Sequence, residues 1–120
     1  MQFDLFPQLE PVLIDEGCDP DGPVCKDHEI DEVIKLNHKK VNLRIELAKH
    51  GERWMFSSAI STPDGGNSYR VGKKWGKFTN SREDAIYFAS AAIRKSAKSH
   101  KVEKEVDALL STIQGAPRFK

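Results

Sequence analysis

Alternation of apolar and polar side chains over residues 40–62 restricts this fold more than any other feature of the chain. In KVNLRIELAKHGERWMFSSAIST, Val41, Leu43, Ile45 and Leu47 alternate with Asn42, Arg44, Glu46 and Ala48. A period of two puts one set on each side of a pleated strand, so the run reads as a half-buried strand. Trp54, Phe56, Ser58 and Ile60 continue the phase after a break at His50–Gly51. Glycine accepts positive φ and histidine tolerates it better than most residues, which predicts a tight hairpin there. That turn sets Lys49 opposite Glu52, Leu47 opposite Trp54, Ile45 opposite Phe56 and Val41 opposite Ile60.

The flanking segments complete the expected fold. TPDGGN is a loop by composition, and SYRVG predicts a third strand with Tyr69 and Val71 inward and Arg70 outward. A helix follows over 81–98: Ser81 and Asp84 approximate a capping box, acidic residues fill its first turn and basic residues its last. Ala85, Phe88, Ala89, Ala92 and Ile93 form its expected apolar stripe. A last helix, about 101–114, carries Val102, Val106, Leu109 and Ile113 along one side, with Gly115 as a stop. Before the hairpin, DHEIDEVIKLN offers Asp27 as an N-cap and Ile30, Val33 and Ile34 on one face, so a short helix is expected over about 28–37. The sum is an α+β domain over 27–120. Its three-stranded antiparallel sheet, residues 40–78, packs on a helix, with a short helix before it and an amphipathic C-terminal helix after it.

Residues 7–26 hold four prolines, two glycines and five acidic side chains, so 1–26 reads as a flexible acidic arm. The net charge of +1 conceals an asymmetry: residues 1–37 sum to −8 and residues 38–120 to +9. Such a division suggests a nucleic-acid surface, an arm that competes for it, or both. The outward phase of the sheet collects Arg44, Arg53 and Arg70 around the small Ser57, Ala59 and Ser61, and Lys73, Lys74, Trp75 and Lys77 continue beyond. A flat face rimmed by guanidinium groups suits a phosphate backbone, and Trp75 suits a base or sugar. The competing reading lays the C-terminal helix across the same face, or pairs that helix with a second copy as a homodimer.

Other classes find less support. Cys18, Cys25, His28 and His38 form a C-x6-C-x2-H-x9-H string, but structural zinc sites space their cysteines two to four apart, so no metal or other cofactor is expected. A small zinc-stabilised adaptor remains the outlying alternative. No Gly-rich phosphate loop, activated nucleophile or paired carboxylate motif is present, and the chain reads as non-enzymatic. No apolar run spans a bilayer and no leader precedes the domain, so a cytoplasmic protein without membrane contact is expected.

Two patterns resemble known families. The strand-two string W-x-F-x-x-x-I and the string G-K-F-x-x-x-x-E-D-A leading into the helix resemble the three-stranded DNA-binding domains of plant ethylene-response factors. They are also similar to the arm-binding domains of phage integrases; both resemblances cover roughly 41–98 and imply DNA contact through the sheet. The preceding helix adds a likeness to double-stranded RNA-binding domains, from which the acidic SREDA departs, since that family begins its last helix with lysines. At the N-terminus, QFDLF resembles the peptide by which bacterial polymerases and repair proteins dock on the DNA polymerase sliding clamp. Gln2, Asp4, Leu5 and Phe6 match it, which implies that Leu5 and Phe6 fill an apolar cleft while Gln2 hydrogen-bonds. The expected function is a non-catalytic, DNA-associated accessory protein of a bacterium or mobile element, recruited to the clamp. The alternative is a phage-type inhibitor that binds a host protein without DNA.

Overall fold

The alternating run forms the two central strands of an antiparallel sheet in a computed structural model that describes residues 10–113. The elements are β1 (Ile14–Asp15), β2 (Glu32–His38), β3 (Val41–His50), β4 (Arg53–Thr62), β5 (Gly65–Ser68), β6 (Lys77–Phe78), α1 (Arg82–His100) and α2 (Glu103–Leu110). Single 3-10 turns stand at Asp27–Glu29 and Lys73–Trp75. The main sheet is a meander in the order β2-β3-β4-β5, and β1 pairs with β6 in a separate two-stranded ribbon. The α+β class is as expected, with four strands in the main sheet where three were expected.

The hairpin is present with a register two residues away from the expected one. Lys49 pairs with Trp54, Leu47 with Phe56, Ile45 with Ser58 and Leu43 with Ile60, so the turn is Gly51–Glu52. Gly51 sits at φ +65, the sign that a two-residue hairpin turn imposes on its first central position and that glycine meets without a Cβ penalty. A slip of two leaves every side chain on its original face, because the strand period is two. The pattern therefore fixed the faces and left the pairing open.

Residues 28–37 do not form the expected helix; Glu32–His38 is the edge strand β2, paired along its whole length with β3. Ile34 and Leu36 pack into the core while Val33, Lys35 and Asn37 face out, a strand alternation that i, i+3, i+4 spacing had masked. Its turn, Lys39–Lys40, places Lys39 at φ 55. The third strand also moves: β5 is Gly65–Ser68, and the chain leaves the ladder at Tyr69. Val71, expected on the inner face, instead crosses to the outer one, where it packs with Ala48, Met55 and Phe78.

Both helices lie on the inner face. Ala85, Ile86, Ala89, Ile93 and Ala97 of α1 and Val106, Leu109 and Leu110 of α2 join Val41, Leu43, Ile45, Leu47, Phe56 and Ile60 in one core. The stripe of α1 is rotated from the expected one: Ile86, Ser90 and Ala97 are buried, and Ala92 is exposed. Ser81 accepts a hydrogen bond from the Asp84 amide at 3.1 Å, and Glu83 and Asp84 oppose the helix dipole in the first turn. Arg82 donates twice to Glu32, at 2.7 and 2.8 Å, and so fastens the start of α1 to β2. α2 uses its apolar stripe in this same core, so those side chains are not displayed for a second copy. Ser90 is fully buried and its hydroxyl has no hydrogen-bond partner among the described residues. Ser90→Ala removes that desolvated group with little change in volume and is expected to stabilise the fold by about 1 kcal/mol, read as a higher urea midpoint at unchanged slope.

The segment 10–26 is laid on the body and is not the free linker that its prolines suggested. The Glu16 amide donates to the Gly76 carbonyl at 2.7 Å, Asp19 to Lys74 at 2.8 Å and Cys25 to Val71 at 2.8 Å, while Lys74 donates back to Pro23 at 2.9 Å. Gly76, at φ +66, lets the two backbones touch: a Cβ there would stand 1.9 Å from the Gly17 carbonyl oxygen. Ile14 and Cys25 add to the small outer cluster around Val71 and Phe78. Breaker-rich sequence here means irregular backbone with long-range partners.

Candidate nucleic-acid interface

The outer face of the sheet is divided in two. Its lower half, around Ala48 and Met55, is sealed by the segment 10–26 and by residues 69–78. Above that seal lies Glu46, 4% exposed on the outer phase of β3. Its carboxylate accepts from Arg44 Nε and Nη2 at 2.9 and 2.7 Å, from Ser57 Oγ at 3.3 Å and from the Val71 amide at 3.0 Å. Burial alone would raise its pKa, but the Val71 amide, then Arg44 and Ser57, outweigh it and hold the carboxyl below its ordinary value. Glu46 thus draws the chain at Val71 down over the sheet and sets the boundary of the covered half.

The upper half is open. Two registered rows run across all four strands: Lys35, Arg44, Ala59 and Ser68, then Asn37, Asn42, Ser61 and Gly66. Together they line a shallow trough of about 470 Å³ with no carboxylate in its walls. Exposed Lys39 and Lys40 stand at its end, on the β2–β3 turn. Small side chains on β4 and β5 keep the relief low, while Lys35 and Arg44 supply charge and the asparagines supply both donors and acceptors. Such a surface can accept phosphate oxygens and polar base edges.

The residues expected to bind nucleic acid do not all meet here. Arg44 lies in the trough, with part of its guanidinium engaged by Glu46. Arg53 pairs with Glu16 at 2.9 Å and stacks 3.9 Å above the Phe78 ring. Arg70 is paired with Asp27. Lys74 donates to the Pro20 carbonyl at 2.7 Å and stands 5.7 Å from the Trp75 ring centre. Lys73 and Lys77 are exposed, and Trp75 is half-buried, its indole N–H donating to the Arg70 carbonyl at 2.7 Å. Glu16 of the acidic segment and Asp27 of the turn that follows it therefore occupy two of the three arginines. Gln2, Asp4, Leu5 and Phe6 lie outside the described residues.

Lys35, Asn37, Lys39 and Lys40 are not among the expected site residues: the first two fall in the segment expected as a helix over 28–37, and the other two stand on the turn between it and the sheet. The signal was present in EVIKLNHKKV, where Ile34 and Leu36 alternate with Lys35 and Asn37 before a two-residue turn. Among the described residues no group of three or more His, Cys, Asp or Glu side chains is placed to hold a metal ion. Burial first, then the Glu29 and Glu46 carboxylates, push the Cys25 thiol up, which makes it a poor ligand or nucleophile near neutral pH. No helix among the described residues is long and apolar enough to cross a membrane. No family model, curated protein or solved structure matches this chain.

Proposed function

We propose that this chain is a non-catalytic DNA-binding accessory module that lays the open half of its sheet on a phosphate backbone. The observation that carries the reading is the placement of both helices on the inner face, which leaves a carboxylate-free polar trough flanked by lysines on the other. Lys35, Lys39, Lys40 and Arg44 are the contacts. Arg53 and Arg70 serve the fold, tying Glu16 of the acidic segment and Asp27 of the following turn to the body. The same reading keeps QFDLF as a docking peptide for a bacterial sliding clamp, which would deliver the module to DNA already encircled by the clamp.

Four phosphate contacts predict a salt slope of about −3.6 on logarithmic axes, so affinity for a duplex should fall about 150-fold between 50 and 200 mM salt. Lys39→Ala and Lys40→Ala, both on an exposed turn, should each reduce the slope by about one without moving the urea midpoint. Fluorescence anisotropy with a labelled duplex measures both. Affinity that ignores salt, or no binding at 50 mM, removes the proposal.

A further inference from the structure

β5 is four residues of Gly-Gly-Asn-Ser and ends where Tyr69 leaves the ladder, so the flank of α1 beside it is left uncovered. Between them runs a groove of about 680 Å³ on the inner side of the sheet, which shares only Asn67 of β5 with the lining of the trough. One wall is Tyr69, Trp75 and Lys77; the other is the α1 side chains Lys95, Ser96 and Ser99. Tyr69 and Trp75 meet edge to face, ring centres 5.1 Å apart at 71°. The Trp75 indole is fixed by its bond to the Arg70 carbonyl, and Asn67 donates to Ser96 Oγ at 2.7 Å, which closes one end. These rings are held in place before any ligand arrives. No carboxylate lines the groove, and neither Lys77 nor Lys95 forms an ion pair among the described residues.

Fixed aromatic rings beside unpaired lysines and hydroxyls are complementary to a group that is flat, apolar on its faces and anionic at one end. A nucleotide has that chemistry, and the volume falls within the range of ordinary ligand sites. Inside a duplex the base faces are stacked on one another and cannot reach Trp75. We infer that this groove takes a nucleotide of a single strand, its base against Trp75 and Tyr69 and its phosphate on Lys77 and Lys95. The inference deepens the nucleic-acid reading, because it adds a strand state and a second surface to the one proposed for the duplex.

The full chain is titrated against a labelled oligothymidylate, a blunt duplex of equal length and free thymidine monophosphate. Lys77→Glu with Lys95→Glu, two exposed positions, should weaken the single strand at least 30-fold and the duplex less than threefold. Lys39→Glu with Lys40→Glu, equal in charge change, should do the reverse. Trp75→Leu should lose about 5- to 150-fold on the single strand, the range of one base stacked on an aromatic side chain. Single-strand binding that the Lys77/Lys95 pair leaves within threefold overturns the groove, as does monophosphate binding as tight as the oligonucleotide. Duplex binding with no single-strand binding sinks the groove alone. Single-strand binding without duplex binding sinks the sheet-face proposal and leaves the groove standing.

Discussion

Glu46→Ala is expected to destabilise the fold by about 2–4 kcal/mol, the size of loss seen when one partner of a buried charged network is removed. The truncation strands the Val71 amide and the Ser57 hydroxyl in a place that is nearly closed to water. It also releases the Arg44 guanidinium, so part of the outer face should loosen around Val71. Glu46→Gln keeps a carbonyl oxygen for Val71 but turns an amide toward Arg44, and should cost about 1–2 kcal/mol. Urea titration of the three proteins separates these outcomes; a loss under about 0.5 kcal/mol for the alanine variant would show that water replaces the carboxylate freely.

The same network fixes the sign of the acid limb. Glu46, through the partners that outweigh its burial, and Glu32, through its hydrogen bonds from Arg82, both have folded pKa values below the ordinary 4.5. Their contribution is complete above the unfolded value and is lost as pH falls through the folded ones, because the unfolded chain then binds the extra protons first. Stability should therefore decline from about pH 4.5 downward, and Glu46→Gln with Glu32→Gln should flatten that decline. An unchanged slope in the double variant would assign the acid limb to other carboxylates.

Which parts of this structure were legible follows from the range of each signal. Alternation is local, so the faces of β3 and β4 are legible directly from Val41, Leu43, Ile45 and Leu47 and from Trp54, Phe56, Ser58 and Ile60. Register is a relation between strands, and a shift of two conserves every face, so Leu47 was set against Trp54 when its partner is Phe56. β2 failed for another reason: Ile30, Val33 and Ile34 satisfy helical spacing as well as Ile34 and Leu36 satisfy a strand, and only the pairing with β3 decides. The charge pattern gave a basic body correctly as composition. It could not show that Glu16 and Asp27 reach Arg53 and Arg70, which lie 37 and 43 residues away in the chain. The proposed contacts shift accordingly, from arginines already matched to Lys35 on β2 and to Lys39 and Lys40 on the turn after it.

The packing of residues 10–26 also changes what the N-terminal peptide can do. Leu13 packs against the main core and the Val12 amide donates to Asp84 at 3.4 Å, so the described chain is anchored beside the start of α1 and is not the end of a free linker. A clamp that holds QFDLF would be joined to the module by a short tether, and each contact would raise the effective concentration of the other. Leu5→Ala with Phe6→Ala should lower affinity for a bacterial sliding clamp at least 100-fold, since each apolar anchor that fills a cleft is worth about 1.5–3 kcal/mol. Duplex affinity in the absence of clamp and the urea midpoint should stay where they are. With clamp and DNA together, the intact chain should hold a clamp-loaded duplex more tightly than a bare one, and the double variant should lose that difference. Clamp affinity of the double variant within threefold of the intact chain would strip QFDLF of its role and leave a module that finds DNA through its sheet alone.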